Sequence, residues 1–323
     1  MSREALLARA PGLARLRPLS LVPHPAIVRP LDRLAHAPGA LWLWDDSPAG
    51  GNKVRKLEWL LAGTLAAGKR GVLVYGPTGS NWVLAAVRQA RAHGLEARAV
   101  LFPAPMPAYA RTNLEATRRL ADLVVTVPAM PFLPAACLAI LARRPGTDVY
   151  PPGGTGFVSS LGYAEAALSL ESRVAAGDLP EPSWIFVAAG TGGTAAGLAA
   201  GLSLTRLATK VAAVRVNDLA LMNAPLLSTV AHRALATLAR AGAAGAPRRL
   251  ARGRLVLVHD FFGKGYALPT LPSERAVARA AAEEGLELET TYTGKTLAAA
   301  HSMGPCLGGP ILFWNTFAGS SKT

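Results

Sequence analysis

Two short stretches carry residues whose types and spacing could do chemistry. The first is Val187-Ala188-Ala189-Gly190-Thr191-Gly192-Gly193-Thr194-Ala195-Ala196-Gly197, which reads as a strand passing through a glycine loop into a helix. Such a loop aims several backbone N–H groups at one point, where a phosphate can sit on the helix N-terminus. Read instead as G-x-G-x-x-A, it is a dinucleotide fingerprint, with Asp218 at the end of the next strand as the ribose-binding acid. A third reading is a plain strand-to-helix turn, where glycine serves only for its backbone freedom.

The second stretch is Gly51-Asn52-Lys53-Val54-Arg55-Lys56-Leu57-Glu58. Val54, Leu57, Leu60, Leu61 and Leu65 recur at helical spacing, so Lys53 stands at a helix start. Cations favour the other end of a helix, so Lys53 is not there for the dipole. An amine at this positive end, close to Arg55 and Lys56, is expected to lose its proton readily, as Schiff-base formation with an aldehyde requires. A nicotinamide-dependent oxidoreductase has no need of that amine, and this separates the two ligand readings of the glycine loop.

The remaining sequence sets bounds. A chain of 323 residues with 51% hydrophobic and 17% charged residues is no disordered tail. The net charge of +14 could mark a nucleic-acid binder, but the basic residues are scattered singly or in pairs without an aromatic-studded stripe, so none is expected. Apolar runs such as 184–189 and 311–314 fall well short of the roughly 20 residues a bilayer span needs, so no membrane partner is expected either. The N-terminus carries an acid early and no apolar core, which does not fit a secretory signal. Cys137 and Cys306 lack metal-ligand spacing and read as reduced thiols of a cytoplasmic protein with no metal site.

Elements alternate along the chain. Behind a Pro-rich entry, strands are expected at 40–44, 72–75, 97–102, 123–127, 148–150, 184–189, 211–216, 255–259 and 311–314. Helices are expected at 54–68, 80–93, 108–120, 132–143, 157–175 and 194–204. The alternation predicts an α/β protein with mostly parallel sheets.

Lys53 in its segment, then Ser80-Asn81, then Gly190-Thr191-Gly192-Gly193-Thr194 stand in an order and spacing that resemble the pyridoxal phosphate enzymes related to D-cysteine desulfhydrase and 1-aminocyclopropane-1-carboxylate deaminase. The resemblance continues through Pro152-Gly153-Gly154, Leu161-Gly162-Tyr163, Gly263-Lys264-Gly265-Tyr266 and Tyr292-Thr293-Gly294-Lys295. It implies a two-domain, tryptophan-synthase-β-like fold (fold type II) of open twisted sheets flanked by helices. A larger cofactor-binding domain would comprise 1–55 and 152–323, and a smaller inserted domain 56–151, with pyridoxal 5'-phosphate in the cleft between them. It also implies a homodimer, for which apolar residues around Trp42 and Trp44 could serve.

For the site, the resemblance implies that Lys53 holds the cofactor as a Schiff base, that Asn81 touches the ring hydroxyl, and that Gly190 and the Thr191–Thr194 loop bind the phosphate. Ser80, Asn81 and the following backbone would receive the substrate carboxylate, as a helix N-terminus favours. Tyr266 and Tyr292 match two active-site tyrosines, which would handle protons or stack near the substrate. Thr293 stands where the cyclopropane deaminases have Glu; its neutral hydroxyl favours the desulfhydrase branch and suits expulsion of a good leaving group from Cβ. Thr316 keeps the threonine position near the ring nitrogen.

Departures from the pattern bear on substrate. Gly79-Ser80-Asn81-Trp82 replaces Gln-Ser-Asn-His, so Trp82 is expected to reshape the substrate pocket; Glu289-Thr290-Thr291-Tyr292 replaces Asp-Pro-Val-Tyr, and Asn315-Thr316-Phe317-Ala318-Gly319 replaces His-Thr-Gly-Gly. The expected activity is elimination from a small amino acid to a 2-oxo acid and ammonia, with Lys53 removing the Cα proton. Ring opening of the cyclopropane substrate or β-replacement are its near alternatives. The dinucleotide oxidoreductase and a non-catalytic pyridoxal phosphate binder blocked by Trp82 are the distant ones.

Overall fold

The computed structural model describes residues 2–22 and 24–317. Met1, Pro23 and 318–323, which include Ala318 and Gly319 of the C-terminal motif, lie outside the described residues.

Among the described residues, ten strands form two sheets. The larger contains β1 (Ile27–Pro30), β2 (Leu41–Asp45), β7 (Trp184–Ala189), β8 (Lys210–Arg215), β9 (Leu255–Val258) and β10 (Ile311–Asn315), in the order β1-β2-β10-β7-β8-β9. Only the β1–β2 pair is antiparallel. The smaller sheet is wholly parallel and contains β3 (Gly71–Pro77), β4 (Glu96–Phe102), β5 (Leu123–Thr126) and β6 (Thr147–Tyr150), in the order β5-β4-β3-β6. Strands covered on both faces read as unbroken apolar runs, and Trp184-Ile-Phe-Val-Ala-Ala is such a run.

The edge strand β1 is the one strand the sequence pattern hid. Its Pro30 removes a ladder donor, which an edge tolerates and an interior strand does not. The helices are α1 (Ser2–Arg9), α2 (Asn52–Ala66), α3 (Asn81–Ala92), α4 (Ala108–Leu120), α5 (Leu133–Arg143), α6 (Leu161–Ala175), α7 (Gly193–Leu202), α8 (Ala224–Arg240), α9 (Leu271–Glu284) and α10 (Thr293–Met303). Helix α6 starts at Leu161 and not at Phe157, because the Ser159 and Ser160 hydroxyls turn back to donate to the carbonyls of Gly154 and Gly156. No helix among the described residues is long and apolar enough to cross a membrane.

Helix α2 runs unbroken through 55–56, where the domain boundary was expected. Its Leu57 and Leu61 join the core under the small sheet, whereas Trp59 joins the core around α1, α6 and α8. Trp42 and Trp44 are not a surface patch: Trp44 is 1% exposed and stacks on Trp314 at 4.5 Å, and Trp42 packs against the same core. The two-residue alternation of side chains along β2 turns both indoles to one covered face and Leu41 and Leu43 to the other.

Asp46, just beyond β2, has no solvent exposure. Its carboxylate accepts hydrogen bonds from Trp44 Nε1 (3.2 Å), Trp314 Nε1 (2.9 Å), the Tyr163 hydroxyl (2.8 Å) and the Arg55 guanidinium (3.1 Å). Its backbone carbonyl accepts from Ala49 and Gly51, so the loop before α2 folds over this residue.

All ten residues of α7 are buried, and it lies against α6 with almost no space. A Cβ at Gly197 would overlap the Ser160 carbonyl, and one at Gly201 would meet Ala164 Cα at 2.5 Å. Gly197→Ala is expected to cost about 1–3 kcal/mol through overpacking. Urea unfolding would record a lower midpoint at unchanged slope; an unchanged midpoint would mean that the helices separate freely.

Candidate active site

A cleft of about 1310 Å³ opens where the small sheet and its helices face the large sheet. Both stretches singled out in the sequence line it. Gly50 and Gly51 have φ of +81° and +71°, which lets the chain turn sharply before α2. Asn52 N then donates to the Thr316 carbonyl at 3.2 Å, tying the start of α2 to the end of β10.

Lys53 Nζ donates to Asn52 Oδ1 at 2.6 Å and stands 5.9 Å from the Tyr292 ring centre. Burial brings its amine down to about 8, against the opposing pull of the Glu289 charge. The Arg55 and Lys56 charges are not the cause: Arg55 is turned to Asp46, and Lys53 is lowered by desolvation. An aldehyde is captured only by the neutral amine. Uptake of pyridoxal phosphate by the cofactor-free protein is therefore expected to quicken about tenfold per pH unit below 8 and then level off. A rate still climbing steeply at about pH 10 would restore an ordinary lysine.

The glycine loop leaves β7 and enters α7 with Gly192 at φ +78° and no side-chain cap, so the first N–H groups of α7 face the loop. Asn52 Nδ2 donates to Thr194 Oγ1 at 3.1 Å, and the Thr191 and Thr155 hydroxyls are 2.6 Å apart. Lys56 is 2% exposed, donates from Nζ to the Gly153 carbonyl at 3.0 Å, and lies so near the loop that a Cβ at Gly193 would be 3.2 Å from it. Burial, and then the neighbouring Lys53, hold the Lys56 amine well below its ordinary value. Backbone N–H groups, threonine hydroxyls and a buried lysine amine make a donor set that fits a phosphate, whose charge would favour the amine's protonated form.

Lys56, Asn52 and Thr155 were not assigned roles from sequence. Lys56 was recoverable, since it follows Lys53 by one helical turn and shares its face; Thr155 carried no signal.

Ser80 caps α3, its hydroxyl accepting from Val83 N at 3.4 Å, and Asn81 follows at the cleft wall. The Tyr266 and Tyr292 hydroxyls are 2.6 Å apart, with rings edge-to-face at 6.2 Å. Burial raises both phenols, so they stay neutral; one hydroxyl donates to the other, and the accepting hydroxyl keeps its own proton to donate onward. Tyr109 of α4 joins them across the cleft, its hydroxyl 3.4 Å from Thr291 Oγ1.

Two expected residues sit differently. Thr293 is 1% exposed and does not line the cleft, because at the start of α10 its N–H and hydroxyl both donate to Glu289 Oε1. Glu289 instead lines the cleft, and its carboxylate also takes the N–H groups of Thr291 and Tyr292, capping α10. Trp82 reaches the cleft wall but is 3% exposed; its indole fills the core between Leu57 and Tyr150 and touches Gly154, so its main work is packing under α3. Thr316 and the 190–194 loop line the cleft, and exposed Asp218 stands at its rim.

The sequence profile of the pyridoxal-phosphate dependent enzymes matches residues 19–316. The chain belongs to this family. The match removes the dinucleotide reading of the glycine loop and makes the cofactor pyridoxal phosphate. Relatives include the D-cysteine desulfhydrases of Klebsiella pneumoniae subsp. pneumoniae, 31% identical over 89% of this chain and 88% of that one, and of Salmonella paratyphi A, 31% identical over 88% of each. Among solved structures, an ACC deaminase homologue superposes with a TM-score of 0.81 at 24% identity, covering 98% of this chain and 95% of that one. Threonine deaminase isoform 2 of Solanum lycopersicum superposes with a TM-score of 0.63 at 17% identity, over 98% and 85% of the two chains. These likenesses give the enzyme the fold type II architecture of two mostly parallel sheets flanked by helices.

Proposed function

We propose that this pyridoxal-phosphate enzyme is a lyase that eliminates the β-substituent of a small amino acid, leaving a 2-oxo acid and ammonia, in the manner of the D-cysteine desulfhydrases it resembles. The observation that carries the reading is the placing of the Lys53 amine and the Tyr266–Tyr292 hydroxyl pair in one cleft with a phosphate-type donor set. Pyridoxal phosphate, when bound, supplies the electron-withdrawing ring that makes a Cα proton removable.

Lys53 attaches the cofactor and, once released, is the base that takes the Cα proton. Lys56, Thr191, Thr194 and the N–H groups of 193–195 hold the phosphate, and Asn52 keeps Lys53 beside that loop. The open first turn of α3, with Ser80 and Asn81, receives the substrate carboxylate. Tyr292, paired with Tyr266, would pass a proton to the leaving group, and Thr316, on the cleft wall, would serve the ring nitrogen. Tyr292→Phe is expected to lower kcat about 10²-fold while leaving cofactor uptake intact; equal losses in uptake and turnover would make the residue a packing element.

The division into a small unit, 56–151, and a larger one is part of this proposal, supported by the fact that all four strands of the small sheet fall within 71–150. So are a homodimer, for which exposed Phe132 and Leu138 around α5 offer apolar surface, and a cytoplasmic site, which suits unpaired Cys137 and Cys306.

The test is the absorbance spectrum of the purified enzyme before and after D-cysteine, L-cysteine, D-serine and 1-aminocyclopropane-1-carboxylate, followed by borohydride reduction. Expected are cofactor fixed on Lys53, a spectral change with one amino acid, and a 2-oxo acid product. A spectrum unmoved by all four rejects the small β-eliminating substrate, and release of a substituted amino acid in place of the 2-oxo acid makes the reaction replacement.

A further inference from the structure

The carboxylate loop rests on helix α4 more closely than its sequence implies. Gly79, at φ +74°, lies so near α4 that a Cβ would overlap Ala110. One turn further along α4, Asn113 is 8% exposed, and its Nδ2 donates both to the Gly79 carbonyl at 3.1 Å and to Asn81 Oδ1 at 2.6 Å.

This chain of bonds has only one direction. A backbone carbonyl can only accept, so the Asn113 atom facing Gly79 must be its NH₂ group. The second hydrogen of that NH₂ faces Asn81, so the Asn81 atom there must be its carbonyl oxygen. The Asn81 NH₂ group is what remains to face the cleft. The polarity of Asn81 is thus dictated from a backbone carbonyl through one buried amide.

We infer that Asn113 is a positioning residue that fixes Asn81 as an obligate hydrogen-bond donor to an oxygen anion of the bound ligand. Resting on the cofactor reading above, that anion is the oxygen of the ring hydroxyl of pyridoxal phosphate, which an N–H donor holds deprotonated and a carbonyl would not. The α4 helix therefore acts on the electronic state of the ring without touching it.

Asn113→Asp keeps the side-chain size but presents two acceptors to Gly79 and Asn81, so Asn81 is expected to turn its NH₂ towards α4 and its carbonyl into the cleft. The cofactor dissociation constant should rise about 10- to 100-fold, the scale of a lost bond to a charged group. The bound cofactor's long-wavelength band should fall relative to its near-ultraviolet band. In an Asn81→Ala background the same Asn113→Asp change should do neither, because Asn113 acts through Asn81. Asn113→Ala, which introduces no charge, gives the same test in milder form should the Asp variant fail to fold. Unchanged affinity and band ratio in both variants, or equal losses with and without Asn81, would overturn the inference. A wild-type protein that takes up no cofactor would instead overturn the functional reading, and the inference with it.

Discussion

Lys53→Ala is expected to abolish covalent capture of pyridoxal phosphate and to lower turnover by about 10³-fold or more, since it removes the attachment point and the base together. The protein should still bind the cofactor reversibly, because Lys56, the threonine hydroxyls and the first turn of α7 are untouched. Folding should not suffer, because the variant takes a desolvated amine out of the cleft. The measurement is borohydride reduction followed by mass analysis of the peptides, in parallel with turnover of the amino acid found active. Two other lysines could be rivals. Lys56 is engaged by the Gly153 carbonyl beside the glycine loop. Lys295, also lowered to about 8 by burial, donates to the Phe262 carbonyl at 2.6 Å and does not line the cleft. Cofactor trapped on either in the variant, with turnover retained, would move the role away from Lys53.

The largest expected loss of stability lies beneath the site. Asp46→Asn keeps the shape of the side chain but removes the charge opposite Arg55, which is 6% exposed and donates to the Asp46 carboxylate from both Nε and Nη2. Breaking a buried pair from one side leaves an uncompensated charge and costs about 3–5 kcal/mol. At roughly 2–4 °C per kcal/mol for a chain of this class, Tm should fall by about 10 °C. Combining Asp46→Asn with Arg55→Met should recover much of the loss, because two neutral groups no longer strand a charge. A fall of less than about 2 °C in the single variant would mean that solvent reaches Arg55. The loop over Asp46 leads directly into Lys53, so a loss of cofactor capture should accompany the loss of stability.

Much of this was legible before any coordinates. The parallel strands announced themselves because strands covered on both faces carry long apolar runs, as at 72–75 and 184–189. The glycine loop stood out because a strand-to-helix glycine turn can aim backbone N–H groups at one point, and Lys53 because a lysine opening a helix is out of place electrostatically; both line the one cleft. What the sequence hid depends on contacts distant in the chain. Asn113 and Tyr109 belong to α4; Asn113 lies 32 residues from the Asn81 it holds and Tyr109 lies 182 from the Thr291 hydroxyl it meets, and no spacing rule links them. Glu289 was noticed only as a substitution; its capping of α10 and its place on the cleft wall follow from the turn that α10 makes there. Thr293 was drawn from the family pattern, which says nothing of the Glu289 carboxylate that takes its N–H and hydroxyl at the start of α10.

The position of β10 gives the chain an order of completion. Among the described residues it is the last of the large sheet's strands in chain order, yet it lies inside that sheet, between β2 and β7. During synthesis, β2 and β7 emerge long before it and must wait with unpaired edges facing each other. Only when residues 311–316 are free of the ribosome can that gap close and the Thr316 carbonyl accept from Asn52 beside Lys53. Lys53 is thus seated by the strand of this sheet that comes last in chain order, and the gap is where a stalled or shortened chain would expose sheet edges to its neighbours.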